Sequence, residues 1–463
     1  MSSQPLSLPS RTQILIVGAG PSGLAAAISL RKHGVPTDIV IVDRAAYVGD
    51  PNNTASRAIV IHSATLEALD SIECADELNS LGLRMGGVQL RARGSAPLFT
   101  NDFSSLKGYT KYPHGLILSQ SFTERSLLKR IEECSLRVLR PYEAVGMKES
   151  EDGDGLDVSF NTGEVIHAKY VIGADGARSV IRGLSGIGFS DPQSRIDSAQ
   201  VNQQIVLADV SFTKDISHMY SPISTSGSDP KQLSFSTAFS FSPEGFFLTA
   251  PLGHPQVHSE IYGASEPVYR IGFSVPLHRG EAPSHPSLEV LQEFTDRQAL
   301  VTMSSDPSQN PDPVSIKKVY WSTRFRTHSA VADTFLKRVH GPESKEQEKN
   351  GGIVMLLGDA AHIHSPAGGQ GMNLAIRDAI GLGSVLAQLV TTSSNDDFGI
   401  LEEFMKERHG RALKQIEMTK RFMWLMRALM NPFSISYWVI YFLGMIPLMK
   451  RTLAWQLSGL GNK

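Results

Sequence analysis

Cysteine is scarce in this chain: Cys74 and Cys134 are the only two among 463 residues. That count excludes a disulfide framework and points to a reducing compartment, read as the cytoplasm. Charge of one sign is missing too. Forty-four basic and 46 acidic residues leave a formal net charge of -2, so there is no electrostatic footprint for nucleic acid. The start, Met1 to Arg11, is Ser/Pro-rich and has no apolar core; it reads as a short lead, not a signal peptide. No Gly-Lys-Ser follows the first glycine turn, which excludes a phosphate-cradling NTPase loop. His362 and His364 flank a single residue, but no third ligand stands at metal-binding spacing, and metal sites need three or four. They read as loop histidines. His114, His218, His254 and His258 carry no assignable role. Internal repeats are absent. Aromatics at 8% and apolar residues at 41% are ordinary for a globular protein, and the length suffices for two or three domains.

What is present is a series of strand ends. Gln13-Ile14-Leu15-Ile16-Val17 reads as a buried parallel strand. Gly18-Ala19-Gly20-Pro21-Ser22-Gly23 follows, and then a helical pattern from Leu24 to Lys32. A second strand, Asp38 to Val42, ends in Asp43. Glycines at 18, 20 and 23 permit a tight turn, close approach of a pyrophosphate and close helix–strand packing. Asp43 stands about 20 residues on, where an acid reaches a ribose hydroxyl. The fingerprint alone does not separate FAD from NAD. A second strand end is Tyr170-Val171-Ile172-Gly173-Ala174-Asp175-Gly176; taken alone, Asp175 reads equally as a helix-capping residue. The third follows Ile353-Val354-Met355-Leu356-Leu357. It runs Gly358-Asp359-Ala360-Ala361-His362, then Ser365-Pro366-Ala367-Gly368-Gly369-Gln370-Gly371-Met372-Asn373. Its glycines allow close backbone approach to a ligand, and the helix it opens presents free N–H groups.

Between these motifs the character changes. Residues 57–80 and 119–133 read as helical and 156–172 as strands. Residues 197–275 alternate, as in Phe235-Ser236-Thr237-Ala238-Phe239-Ser240-Phe241 and Tyr269-Arg270-Ile271-Gly272-Phe273; this is an antiparallel-sheet pattern. Stretches near 280–286 and 304–313 read as loops, and 339–351 as a charged surface insertion. The expected fold class is α/β. A Rossmann-like dinucleotide-binding domain, which the resemblance given below makes the FAD-binding domain, spans 12–190 and 286–400, an inserted antiparallel-sheet domain, the substrate domain on that resemblance, spans 191–285, and C-terminal helices span 401–463. The stretch Pro432 to Met449 is almost uncharged. It reads first as C-terminal helices packed on the core. Peripheral membrane contact and spanning are the alternatives, although a spanning helix needs about 20 apolar residues and Gly444 and Pro447 interrupt this one.

Three strand-end motifs in this order resemble the class A FAD-dependent aromatic monooxygenases, the p-hydroxybenzoate hydroxylase-fold family, over about residues 12–400. The tail Trp455-Gln456-Leu457-Ser458-Gly459-Leu460 is similar to endings in its phenol and polyketide hydroxylase branch. The resemblance implies FAD as cofactor, with Gly18, Gly20 and Gly23 at its ADP part and Asp43 at the adenosine ribose. Asp43 stands where the family more often has Glu. Asp175 is implied as the middle-motif acid, Asp359 as the ligand of the ribityl hydroxyls, and Pro366, Gly369, Gly371, Met372 and Asn373 as lying along the isoalloxazine. Ser56-Arg57-Ala58-Ile59-Val60-Ile61-His62 resembles the family's arginine segment, placing Arg57 near the phosphates. Leu118-Ser119-Gln120 resembles its flavin-contacting glutamine segment, making Gln120 a candidate; both segments also read as plain helix starts.

The implied activity is hydroxylation of an aromatic, phenolic or polyketide-like small molecule with NADPH (or NADH) and O2, through a hydroperoxide at flavin C4a. No metal, nucleophile or triad is expected, because the hard chemistry belongs to the cofactor. Phe239, Phe241, Tyr220 and Arg270 are candidates for the substrate's surroundings, each of them open to a core reading. A single fingerprint disfavours flavoenzymes with a separate NADPH domain, and distant cysteines disfavour disulfide reductases. Trp321, Trp424, Trp438 and Trp455 form no Trp-x-Trp of the halogenase kind. Two alternatives stand beside this reading: an FAD-dependent epoxidase or oxidase of a lipophilic terpenoid, and a non-enzymatic binding protein on the same fold.

Overall fold

Four strands bring their carboxyl ends to one edge. In the computed structural model, Arg11–Val17 pairs in parallel with Ile39–Val42 on one side and Val165–Gly173 on the other. Val165–Gly173 pairs in turn with Gly352–Leu356. The last residues are in register: Val42 with Val17, Val17 with Gly173, and Gly173 with Leu356. The three glycine-bearing motifs therefore leave the sheet side by side, at the end where open α/β sheets bind ligands. The structure describes residues 7–35, 38–47, 58–94, 97–192, 204–220, 235–253, 255–326, 329–339, 351–366, 368–392 and 397–462. Arg57, His254 and most of the 339–351 insertion lie outside the described residues, and no side chain is described for His218.

The parallel strands read as continuous apolar runs because both faces are covered. Ile14, Leu15, Ile16, Ile41, Val171, Ile172 and Val354 are all fully buried. One cover is the helix Pro21–Lys32, which packs against the helix Gly371–Thr392. Their approach is close. A Cβ on Gly383 would lie 2.5 Å from Ser29 Cβ, and Ser29 Oγ donates to the Ile380 carbonyl at 2.7 Å.

A second sheet of nine strands forms the other half. Residues 191–285 supply Gln204–Phe212, Phe235–Ser242, Gly245–Pro251 and Tyr269–Val275. The remainder comes from outside that range. Ile316–Arg326 pairs with Gln204–Phe212, and Leu83–Ala92 pairs in parallel with Phe235–Ser242. Pro97–Asp102, Gly115–Ile117 and Val60–Ile61 extend it. The segment 57–80, which the sequence reads as helix, thus contains a strand before the helices Ser63–Ser71 and Ala75–Leu81. Two β-branched residues at 60 and 61 pair with Ile117 and Leu116, which suits them better than a helix interior.

The faces of this sheet alternate. Tyr269, Ile271, Phe273 and Val275 pack under the helix Leu288–Gln298, with Phe273 stacked on Phe294 at 4.6 Å. Arg270 and Gly272 turn to the opposite face. Three helices close the chain: Asp397–Leu429, Ile435–Met445 and Pro447–Leu457. One described helix, Gly371–Thr391, is long and apolar enough to cross a membrane; here it packs between Pro21–Lys32 and Asp397–Leu429.

Candidate FAD and substrate site

The first turn is built by contact. Gly18 has φ +105°, and a Cβ there would lie 2.2 Å from the Ala174 carbonyl oxygen. A Cβ on Gly23 would lie 1.9 Å from the Gly18 oxygen. Both positions require glycine for packing within the protein. Gly20 differs: a Cβ there meets nothing within 4 Å. Its open side faces a cavity of about 590 Å³ that Gly18, Ala19, Gly20 and Ser22 line. The helix Pro21–Lys32 starts here with Pro at its first turn, no side-chain cap and no acid. Its free N–H groups offer a seat for a diphosphate.

Asp43 lines the same cavity, and its carboxylate is held in place. Oδ2 accepts from Ala19 N at 2.7 Å. Oδ1 accepts from Ala45 N at 2.8 Å and from Arg140 Nη1 at 2.8 Å. Sequence reasoning missed Arg140, which gives no motif signal about 100 residues from Asp43. Gln120 opens the helix Gln120–Glu133 and lines the cavity. Its Nε2 donates to Glu124 Oε1 at 2.9 Å, and its Oε1 accepts from Ala58 N at 3.4 Å. Glu124 also lines the cavity and was missed. Burial raises its carboxyl above the usual range, and the bond from Gln120 partly offsets this. The one available signal was the four-residue spacing from Gln120, which puts both on one helix face.

Asp175 lines the cavity but spends its carboxylate on capping. It accepts from Ser179 Oγ at 2.5 Å, Val180 N at 2.7 Å and Ile181 N at 3.1 Å. The capping alternative is thus what its side chain does in this structure. Its neighbour Arg182 ties two motifs together by donating to the Ala360 and Ala177 carbonyls at 2.8 and 2.9 Å.

Asp359 stands just past Gly352–Leu356, exposed at the cavity wall. Before it, Gly358 has φ +60°, and a Cβ there would lie 2.4 Å from Ser22 Oγ. The first and third motifs therefore touch. Pro366, Gly369, Gly371 and Met372 line the cavity, whereas Asn373 does not. Asn373 is fully buried and works as a clasp. Its Nδ2 donates to the Val60 and Gly369 carbonyls at 2.8 and 2.7 Å, and its Oδ1 accepts from His62 N at 2.7 Å. His62, also unassigned from sequence, completes the clasp: its ring Nε2 lies 2.9 Å from the Gly368 carbonyl. Because a carbonyl only accepts, that nitrogen carries the proton. Burial pushes His62 down to about 4 and His364 likewise to about 4, so both are neutral near pH 7. His362 lies 3.3 Å from Asp378. Among the described residues no cluster of three His, Cys, Asp or Glu could hold a metal.

Past this loop the cavity continues into an apolar chamber. Its floor is the second sheet: Ile205, Leu207, Thr237, Phe239, Leu248 and Gly272. Arg270 joins them as the one floor cation among the described residues. Its guanidinium forms a buried bidentate pair with Asp209, directly opposite on the neighbouring strand, and lies 4.8 Å over Trp321. Tyr262 also donates to Asp209, at 2.8 Å. Of the residues expected around the substrate, Phe239 and Arg270 reach the chamber. Phe241 packs with Leu90, Phe246 and Met426, and Tyr220 stacks on Tyr269 at 5.9 Å on the far face.

These residues fit FAD: an open glycine and bare helix start for a diphosphate, the anchored Asp43 on one side, Asp359 on the cavity wall, and a glycine loop beside it. Comparison with known proteins agrees. Residues 11–232 and 302–419 match the family described as FAD binding domain. The rifampicin monooxygenase of Streptomyces venezuelae is 26% identical over 91% of this chain and 73% of its own length. The pentachlorophenol 4-monooxygenase of Sphingobium chlorophenolicum is 26% identical over 90% of this chain and 66% of its own length. The fold of p-nitrophenol 4-monooxygenase PnpA from Pseudomonas putida superimposes with a TM-score of 0.73, at 20% identity over 98% and 99% of the two chains. That of the flavin-dependent monooxygenase PieE, solved with FAD and substrate, gives 0.65 at 18% identity over 97% and 72%. None of these is named for a terpenoid, so the epoxidase alternative finds no support among them. With FAD as its cofactor, the chain belongs to the FAD binding domain family.

Proposed function

We propose that this protein is an FAD-dependent monooxygenase that uses NAD(P)H and dioxygen to hydroxylate an aromatic, phenolic or polyketide-like molecule. One observation carries the reading. A single cavity runs from the dinucleotide turn at Gly18–Ser22, past Asp359 and Gly369–Met372, to the apolar floor around Phe239 and Arg270. Bound FAD supplies hydride acceptance from NAD(P)H and the activation of dioxygen.

The chain's own residues bind, orient and exclude water. The N–H groups of Gly20, Ser22 and Gly23 would hold the diphosphate, Asp43 the adenosine ribose and Asp359 the ribityl hydroxyls. Arg57 would add a cation near the phosphates. Asp175 acts indirectly, by fixing the turn that meets Gly18. Asn373 holds the flavin loop through Gly369 rather than by touching the ring. Phe239, Phe246, Leu248, Phe325 and Phe422 keep the chamber dry. There the Arg270 guanidinium lines the floor, and its charge would favour the ionised form of a phenol set against it. The setting is cytoplasmic, and the apolar C-terminal stretch reaches a membrane surface.

Reconstitution with FAD, followed by substrate-stimulated NADPH oxidation across a panel of phenols, tests this. The expected result is coupled oxidation with one oxygen atom from labelled dioxygen in the product. A flavin-loaded protein that oxidises NADPH without transferring oxygen to any aromatic ring would overturn it. Protein that binds no FAD would favour the non-enzymatic alternative.

A further inference from the structure

Of the 17 large apolar side chains exposed among the described residues, 11 lie between Trp424 and Met449. Phe433 is 94% exposed, Ile435 84% and Leu448 70%, with Trp438, Val439 and Phe442 beside them. In the helix Ile435–Met445 only Tyr437 is buried. Globular proteins do not gather this much apolar surface without an occupant. Charge identifies the occupant. After Glu417 the chain contains no Asp or Glu, but it has Lys420, Arg421, Arg427, Lys450, Arg451 and Lys463; Lys420 pairs with Asp191 and Arg421 with Glu417, and Lys450 and Arg451 flank the apolar residues directly. In a chain of net charge -2, that is a strong local asymmetry.

The face is also mounted firmly. A Cβ on Gly444 would lie 2.7 Å from the Phe99 ring, so this helix sits directly on the strand Pro97–Asp102. Arg451 stacks over Tyr109 at 4.7 Å and bonds its hydroxyl. Ile446 alone separates Ile435–Met445 from Pro447–Leu457. At 11 residues, Ile435–Met445 is too short to span a bilayer, which takes about 20; a helix of this character lies in the interface plane.

We propose that this face docks the enzyme on an anionic lipid bilayer, with Phe433, Ile435, Trp438, Phe442 and Leu448 among the acyl chains and the basic residues against the headgroups. A second copy fits less well. Two-fold pairing sets a patch against itself and would bring two copies of Lys450 and Arg451 together. Tyr437, the buried residue of the docked helix, packs in one cluster with Phe422 and Met426 of Asp397–Leu429, and these two line the cavity. The docked face and the chamber therefore share a wall, which favours a lipophilic aromatic substrate drawn from the bilayer. That last step rests on the function proposed above.

Sedimentation of the full-length FAD-loaded protein with phosphatidylcholine vesicles, with and without phosphatidylglycerol, tests the docking. Binding is expected with phosphatidylglycerol, falling as salt rises. The Phe433→Asp/Ile435→Asp variant, changed at two exposed positions, should bind about tenfold less. It should keep wild-type FAD content and wild-type oxidation of a water-soluble phenol. Protein that stays in the supernatant with every vesicle overturns the proposal, as does equal binding with and without phosphatidylglycerol. A dimer in light scattering that this variant dissociates assigns the face to a second copy instead. Vesicle binding by a protein that hydroxylates nothing would sink the proposed function and leave the docking intact.

Discussion

His62 makes the glycine loop at Gly368–Gly369 acid-sensitive. Its ring is 4% exposed, its Nε2 is committed to the Gly368 carbonyl, and its Nδ1 has no hydrogen-bond partner. Desolvation is the main cause that lowers it from 6.5 to about 4; the bond to Gly368 partly offsets this, and Arg377 lowers it further. The unfolded chain takes up this proton as pH falls below about 6.5, whereas the folded chain does so only near 4. The folded pKa is depressed, so the stabilisation is present above about pH 6.5 and is lost as pH falls through this window. At about pH 5, roughly 1.5 units of it have been crossed, worth about 2 kcal/mol. Urea unfolding of wild type and His62→Gln, at about pH 7.5 and about pH 5, isolates the effect. Glutamine keeps a donor for Gly368 but does not titrate. Shifts from His364, His114 and the carboxylates cancel between the two proteins. The gap between wild type and variant should narrow by about 2 kcal/mol at the lower pH. A constant gap, or an NMR titration of His62 near 6.5, would refute the reasoning. FAD retention by the folded protein should fall only as pH approaches about 4, where an imidazolium beside Arg377 pushes against the clasp on Gly368.

Asp359→Asn should weaken FAD binding about 10- to 100-fold, from loss of charge-assisted hydrogen bonds worth about 1.5–3 kcal/mol; unchanged flavin-fluorescence titration would remove Asp359 from the site. Gly20→Ala and Gly23→Ala should part company. The first places its methyl in the open cavity and should lose FAD affinity at little cost in apo-protein stability. The second drives its methyl into Gly18 and should lose about 1–3 kcal/mol in urea unfolding without any FAD. Equal stability of the two apo-proteins would contradict the geometry. Asp209→Asn strands the Arg270 cation at 1% exposure and should cost about 3–5 kcal/mol. An unaltered thermal midpoint would mean the pair contributes nothing.

The strand ends were legible because their chemistry is local. Gly18, Asp43, Gly173 and Gly358 each sit within a few residues of the apolar run that places them, and parallel register brings them together. Partnerships across the chain left no such trace. Arg140 reaches Asp43 over 97 residues, and His62 reaches Gly368 over 306. The parallel pairing of Leu83–Ala92 with Phe235–Ser242 gives neither strand a motif, so the second sheet runs beyond any range that composition suggests. Facing is the other gap. Phe239 and Phe241 share one face of Phe235–Ser242, and only their position along the strand separates the chamber from the core beside Leu90 and Met426, while Tyr220 follows a short turn and packs under the other face.

The pairing of Arg270 with Asp209 explains how an apolar chamber can hold a charge and stay selective. An unpaired guanidinium among Phe239, Leu248 and Ile205 would carry a desolvation cost of several kcal/mol. Asp209 offsets it from the adjacent strand, Tyr262 satisfies the carboxylate, and Trp321 covers the planar face. Three neighbours thereby fix the plane of the guanidinium before any ligand arrives. The pair is nearly neutral at long range, so it does not gather anions from solution; its field is felt only at contact. On the proposed function, a phenolate oxygen set against it would gain from that field, and an aromatic ring lacking the oxygen would not. Selectivity of this kind reads a single polar atom on an otherwise greasy molecule, which is the chemistry the rest of the chamber is lined to receive.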